Sequence, residues 1–153
     1  MYIRLRGRDP MKQCYRFMMV FMIFMLCSCA YALQAKHANI REEFDQSSKG
    51  YNKMLRWREV ENAGMAYLDP ELRDDFMKSA EEFKKREVTI TDYRILTSEC
   101  IPEEKRAESV VEFDYYILPS NRIKTLTYRQ KWTYLDTETK KGWQLKSALP
   151  PFD

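Results

Sequence analysis

The sequence predicts an α+β domain in which three N-terminal helices pack on a curved, cone-like sheet of four antiparallel strands. Three observations carry that prediction. Apolar residues recur at 3-and-4 spacing from Phe44 to Phe83. The period changes to two from Glu87 onward. The strand-like runs are joined by short polar turns, so helices and strands are segregated along the chain.

The chain begins with a segment that sets its compartment. Arg4, Arg6, Arg8, Lys12 and Arg16 face one acid, Asp9, and an apolar run of eleven residues follows from Phe17 to Cys27. A basic start, a short apolar run and small residues after it are the layout of a secretory signal. Met11 is an alternative start, because MKQCYRF is a complete basic region by itself. Stretching the run to Leu33 gives 17 residues, at the lower limit for an uncleaved spanning helix.

Leu26-Cys27-Ser28-Cys29 resembles the bacterial lipobox, an apolar residue and two small ones before a cysteine. That resemblance implies cleavage before Cys29 and lipid, palmitate among it, on the Cys29 sulfur. Residues 1–28 are then the signal peptide, 29–40 the lipidated N-terminus and linker, and 41–153 the domain. Ala30-Tyr31-Ala32 supports a rival, ordinary cleavage after Ala32. Ala30 in place of aspartate after the cysteine points to the outer membrane if the source is Gram-negative. The expected location is thus the bacterial cell envelope.

Removing the signal changes two composition arguments. Residues 1–28 hold five of the 26 basic and one of the 23 acidic residues, leaving 21 against 22 and a net charge of −1. The basic balance of the whole chain therefore gives no support for nucleic acid as a partner. Cys14 and Cys27 leave with the signal and Cys29 takes lipid, so Cys100 remains without a disulfide partner. It reads as a small residue packed at a strand end.

Ala30 to Ile40 is small and polar and reads as a linker, with a reach of about 35 Å if extended. His37, the only histidine, falls there and has no cluster around it for metal or catalysis. The first helix is predicted over 41–58, with Phe44, Tyr51 and Leu55 on one face and a weak point at Gly50. The second runs from Glu59 to Tyr67. Leu68-Asp69-Pro70-Glu71 starts the third, with Asp69 as cap and Pro70 in the first turn. Leu72, Phe76, Ala80 and Phe83 form its apolar stripe.

In the first strand Val88 and Ile90 share one parity and Tyr93 and Ile95 the other, which predicts a bulge near Thr91–Asp92. The second strand, 106–118, turns Ser109, Val111, Phe113, Tyr115 and Ile117 inward. Pro119-Ser120-Asn121 makes a tight hairpin. The third strand, 122–136, turns Leu126, Tyr128, Gln130, Trp132 and Tyr134 inward. The last runs from Trp143 to Leu149.

The Tyr51…Leu55-Arg56-Trp57 segment, the stretch Tyr67-Leu68-Asp69-Pro70-Glu71-Leu72-Arg73, the long hairpins and the closing Trp143…Leu149-Pro150…Phe152 resemble the cystatin-like or nuclear-transport-factor-2-like folds. The layout is similar to that of small bacterial envelope lipoproteins of unknown function. The resemblance implies a hollow inside the sheet, used across the fold class by isomerases, dehydratases, binding modules and non-catalytic dimers. Here Asp92, Tyr128, Gln130 and Tyr134 are the candidate pocket residues. An Asp–Tyr pair can move a proton if burial raises the carboxyl's pKa. Against an enzyme stand the missing histidine in the domain, no nucleophile elbow, no phosphate loop and no metal-ligand spacing. No catalytic residue, metal or cofactor is therefore expected. The expected function is a non-enzymatic, lipid-anchored protein that binds a partner protein or small apolar ligand. A small isomerase or dehydratase and a dimerisation module are the alternatives. Expected partners are the membrane, through the N-terminal lipid, and an envelope protein or a second copy.

Overall fold

A computed structural model describes the backbone of residues 10–153 and the side chains of residues 18, 19 and 33–153. It is α+β, with three α-helices and one four-stranded antiparallel sheet. Two compact units divide the chain, Met1–Ala38 and Asn39–Asp153. The proposed lipobox at 26–29 lies outside the described side chains. Among the described residues no helix is long and apolar enough to cross a membrane.

Helix α1 spans Pro10–Arg56. The segment read as a linker is therefore helical, and the helix does not start at Arg41. The reason is visible in the sequence: no glycine or proline interrupts residues 11–49. Gln46 Nε2 donates to Glu42 Oε1 one turn back, at 3.3 Å. Gly50 does not break the helix either. A methyl there would overlap the Tyr67 hydroxyl, so the glycine admits a close neighbour.

The end of α1 is sharp. Arg58 adopts φ 62°, Glu59 N–H donates to Met54 O at 2.9 Å and Arg58 N–H to Leu55 O at 3.1 Å. These are the paired bonds of a Schellman turn, with arginine where glycine is usual. Helix α2 (Val60–Tyr67) follows. Asp69 Oδ1 accepts from Glu71 N at 2.9 Å and caps a short 3₁₀ turn, Pro70–Leu72, which leads into α3 (Arg73–Lys85). The expected cap is in place, one turn ahead of the α-helix itself. Gly64 lets α2 and α3 touch, since a Cβ there would lie 2.7 Å from the Phe76 ring.

The sheet is a meander in the order β1-β2-β3-β4, comprising β1 Val88–Ile101, β2 Arg106–Ile117, β3 Ser120–Asp136 and β4 Lys141–Leu145. The register of β1 on β2 shifts between Ile90 and Asp92, at the predicted bulge, and again between Ile95 and Thr97. Strand β4 is shorter than expected. Lys131 N–H, which a regular ladder would pair with a carbonyl, is held by Ser147 Oγ at 2.9 Å. Leu149 and Phe152 still reach the core.

The inward parity of β2 and β3 is as read. Val111, Phe113, Tyr115, Trp132 and Tyr134 are buried with Phe44, Tyr51 and Leu55 of α1. Trp132 sits edge-on to Phe44, Tyr51 and Tyr67, with centroids 6.0, 5.9 and 6.2 Å away. Such contacts add about 0.5–1.5 kcal/mol per aromatic pair beyond burial.

Candidate functional site

The inner face of the sheet is where the sequence places a pocket, and side chains occupy it. Gln130 on β3 is wholly buried. Its Nε2 donates to Asn52 Oδ1 at 2.7 Å, and Asn52 Nδ2 donates back to Gln130 Oε1 at 3.2 Å. Ser109 Oγ donates to the same Gln130 oxygen at 3.2 Å, Ser48 Oγ lies 3.4 Å from Ser109 Oγ, and Asn52 Nδ2 also donates to Ser48 O at 2.8 Å. The network joins α1 to β2 and β3 across the core. Its amides are satisfied by one another, the condition for keeping such groups in an apolar interior.

The four candidate pocket residues do not come together. Tyr134 is buried against Trp143, with centroids 5.3 Å apart. Its hydroxyl is pushed up to about 12 by burial and by its hydrogen bond with Glu43. Tyr128 donates to Ala148 O at 3.2 Å, and burial raises its pKa. Asp92 stands opposite Asp114, on the other face of the sheet from Gln130, and lies 3.7 Å from Arg56. The predicted bulge exists, but it leaves Asp92 exposed. An Asp92–Tyr128 proton relay therefore has no geometry here.

Ser48 and Asn52 are the site residues that reading by apolar stripe passes over. They lie four apart on the buried side of α1, among Phe44, Tyr51 and Leu55. The available signal was the pair of inward polar residues, Ser109 and Gln130, which needed partners from another element. Tyr51, also wholly buried, has a hydroxyl without a hydrogen-bond partner among the described residues, and burial raises its pKa strongly.

The outer face is polar and ion-paired. Arg94 Nη2 reaches Glu112 at 2.7 Å and Asp114 at 3.1 Å, Arg129 pairs with Glu108, and Arg106 with Glu104 at 2.5 Å. Two open clefts flank the C-terminal end of β1. One, of about 520 Å³, lies on the outer side and includes Glu99, Ile101, Arg106, Glu108 and Lys131. The other, of about 430 Å³, lies between α1 and β1 and is lined by Arg41, Asp45, Ser98, Glu99 and Cys100. Cys100 is half-buried at the strand end; burial raises its pKa, and nearby Arg41 partly offsets that. Among the described residues no group of three or more His, Cys, Asp or Glu side chains is placed to hold a metal ion.

Neither a protein-family model nor a curated protein matches the chain. The crystal structure of the intermembrane-space region of the chloroplast protein ARC6 is similar at a TM-score of 0.39 and 12% identity, over 69% of this chain and 97% of that one. That is too little likeness to carry any argument.

Proposed function

We propose that this chain is a non-enzymatic binding protein of the bacterial cell envelope, held at the membrane by lipid on Cys29, whose domain over 41–153 engages a partner protein. In this reading the sheet wraps the helices in the cone-like manner of the nuclear-transport-factor-2-like fold. The observation that carries it is the closed Ser48–Asn52–Ser109–Gln130 network. On that resemblance its residues stand at inward positions where enzymes of the fold class are expected to carry polar catalytic groups, and it leaves none of its amide groups to act on a substrate. The packed interior likewise lends little support to a small apolar ligand, while the open clefts lie on the surface around β1. Partner recognition by the surface is the use these features favour.

Three measurements test this. Mass spectrometry of the mature chain should find an acylated Cys29 as its first residue, and Cys29→Ala should abolish labelling by palmitate. A chain starting at Leu33, or one retaining residues 1–28, overturns the lipid anchor. Turnover of any substrate that is lost in Asp92→Ala or Tyr128→Phe overturns the non-enzymatic reading.

A further inference from the structure

The two edges of the sheet are unlike. The β4 edge is closed by the chain itself, through a parallel bridge of Leu68 to Leu145 and an Asp69 N–H bond to Leu145 O at 3.1 Å. The β1 edge has β2 on one side only, and among the described residues no backbone hydrogen bond crosses its other side. An unpaired edge invites another strand, and bulges are a common way to refuse one. Strand β1 has bulges at Ile90–Asp92 and Ile95–Thr97, yet from Thr97 to Ile101 its register on β2 is unbroken. The stretch that can accept a strand is thus five residues long.

Open space lies on both faces of those five residues. Ser98 and Cys100 face inward into the cleft that Arg41 and Asp45 border, Ile101 faces the outer cleft, and Glu99 borders both. A strand laid beside β1 sends alternate side chains into one cleft and the other, which is how strand addition obtains specificity.

Charge says what the strand carries. Glu99 lies directly across from Glu108, a like-charge pair that destabilises a sheet. Glu108 is relieved by Arg129, whereas Glu99 makes no hydrogen bond or ion pair among the described residues. Of the nearby cations, Arg106 feels the charge of Glu99 but is hydrogen-bonded to Glu104, Lys146 is on Asp69, Arg41 borders the inner cleft without an ion pair to Glu99, and Lys131 stands two strands inward on β3. A second copy of β1 does not supply the missing charge. Its one cation, Arg94, is held by Glu112 and Asp114 of its own chain.

We infer that the β1 edge over Thr97–Ile101 is a docking site for an extended segment of a partner protein, with a lysine or arginine set opposite Glu99. This rests on the proposed role as a binding protein and names the kind of partner. The test uses the full chain in detergent micelles and a synthetic peptide of alternating threonine and lysine, with a twin carrying glutamate for lysine. Hydrogen exchange should show the alternate amides within Thr97–Ile101 that point away from β2 protected by the lysine peptide. Glu99→Arg should weaken that peptide by about tenfold and favour the glutamate twin. Lysine-peptide binding without protection of Thr97–Ile101, or unchanged by Glu99→Arg, overturns the edge site and leaves a binding role elsewhere intact. Protection that grows with protein concentration in the absence of peptide assigns the edge to a second copy and overturns the heterologous strand. No binding of either peptide overturns the edge site, while capture of a partner through another surface would still uphold the proposed function.

Discussion

The β4 edge and the β1 edge face the same physical problem and meet it differently. At β4, the turn between α2 and α3 lies against the strand. Leu68 and Leu145 are both fully buried there. Asp69 accepts from Glu71 N–H and from Lys146 Nζ, so one carboxylate caps a turn and ties it to the sheet. At β1, Leu96 is 51% exposed, and the last residues of the strand border open clefts. One edge is part of the core; the other is left for solvent or a partner. The contrast separates residues that hold the fold from residues that the fold leaves exposed.

The largest expected effect is on the closed edge. Leu145→Ala or Leu68→Ala should cost about 2–5 kcal/mol in urea denaturation. A loss under about 1 kcal/mol in both would mean that this edge is not part of the core. Next comes the buried network. Asn52→Ala strands the Gln130 amide and should cost about 1–3 kcal/mol, whereas Asn52→Ala combined with Gln130→Leu should recover part of the loss in a double-mutant cycle.

Alkaline pH acts on the same half of the molecule. Tyr51, Tyr128 and Tyr134 all have raised pKa values, each mainly through burial. Their unfolded forms ionise near pH 10, so between that pH and the folded values the native state holds more protons. Their contribution is complete below about pH 10 and is lost as pH rises through the folded values. Tyr134 passes its folded value at about 12. A melting temperature that rises between pH 10 and 12 would contradict the burial of these rings.

Smaller effects follow. Asp69→Ala removes the cap and the Lys146 partner and should cost about 1 kcal/mol. Smallest is the open edge, where Glu99→Arg should change stability by no more than about 0.5 kcal/mol. A larger loss would show Glu99 to be structural and remove its availability for a partner.

Much of this was legible from residue order, and each miss has its own physical cause. The bulge at Asp92 was readable because the parity of apolar residues flips across it, and the inward sets of β2 and β3 were readable because burial follows a period of two. The face that Asp92 takes was not readable, since a bulge reverses parity without naming which residue is extruded. The start of α1 was missed because small polar residues suit a helix as well as a linker, and only the lack of glycine and proline over 11–49 favoured the helix. Strand β4 ends early because Ser147 Oγ, not a backbone carbonyl, receives Lys131 N–H, a substitution that no periodicity reports.

What residue order determined alone is the class of the domain, its inward faces and the Asp69 cap. Each of these depends on local spacing or on which chemical groups exist in the chain. The tertiary structure decided what fills the interior and which edge stays open. Asn52 meets Gln130 across 78 positions and Leu68 meets Leu145 across a similar span. A buried amide must find its partner wherever packing brings one, and an edge is sealed only by whichever segment folds back against it.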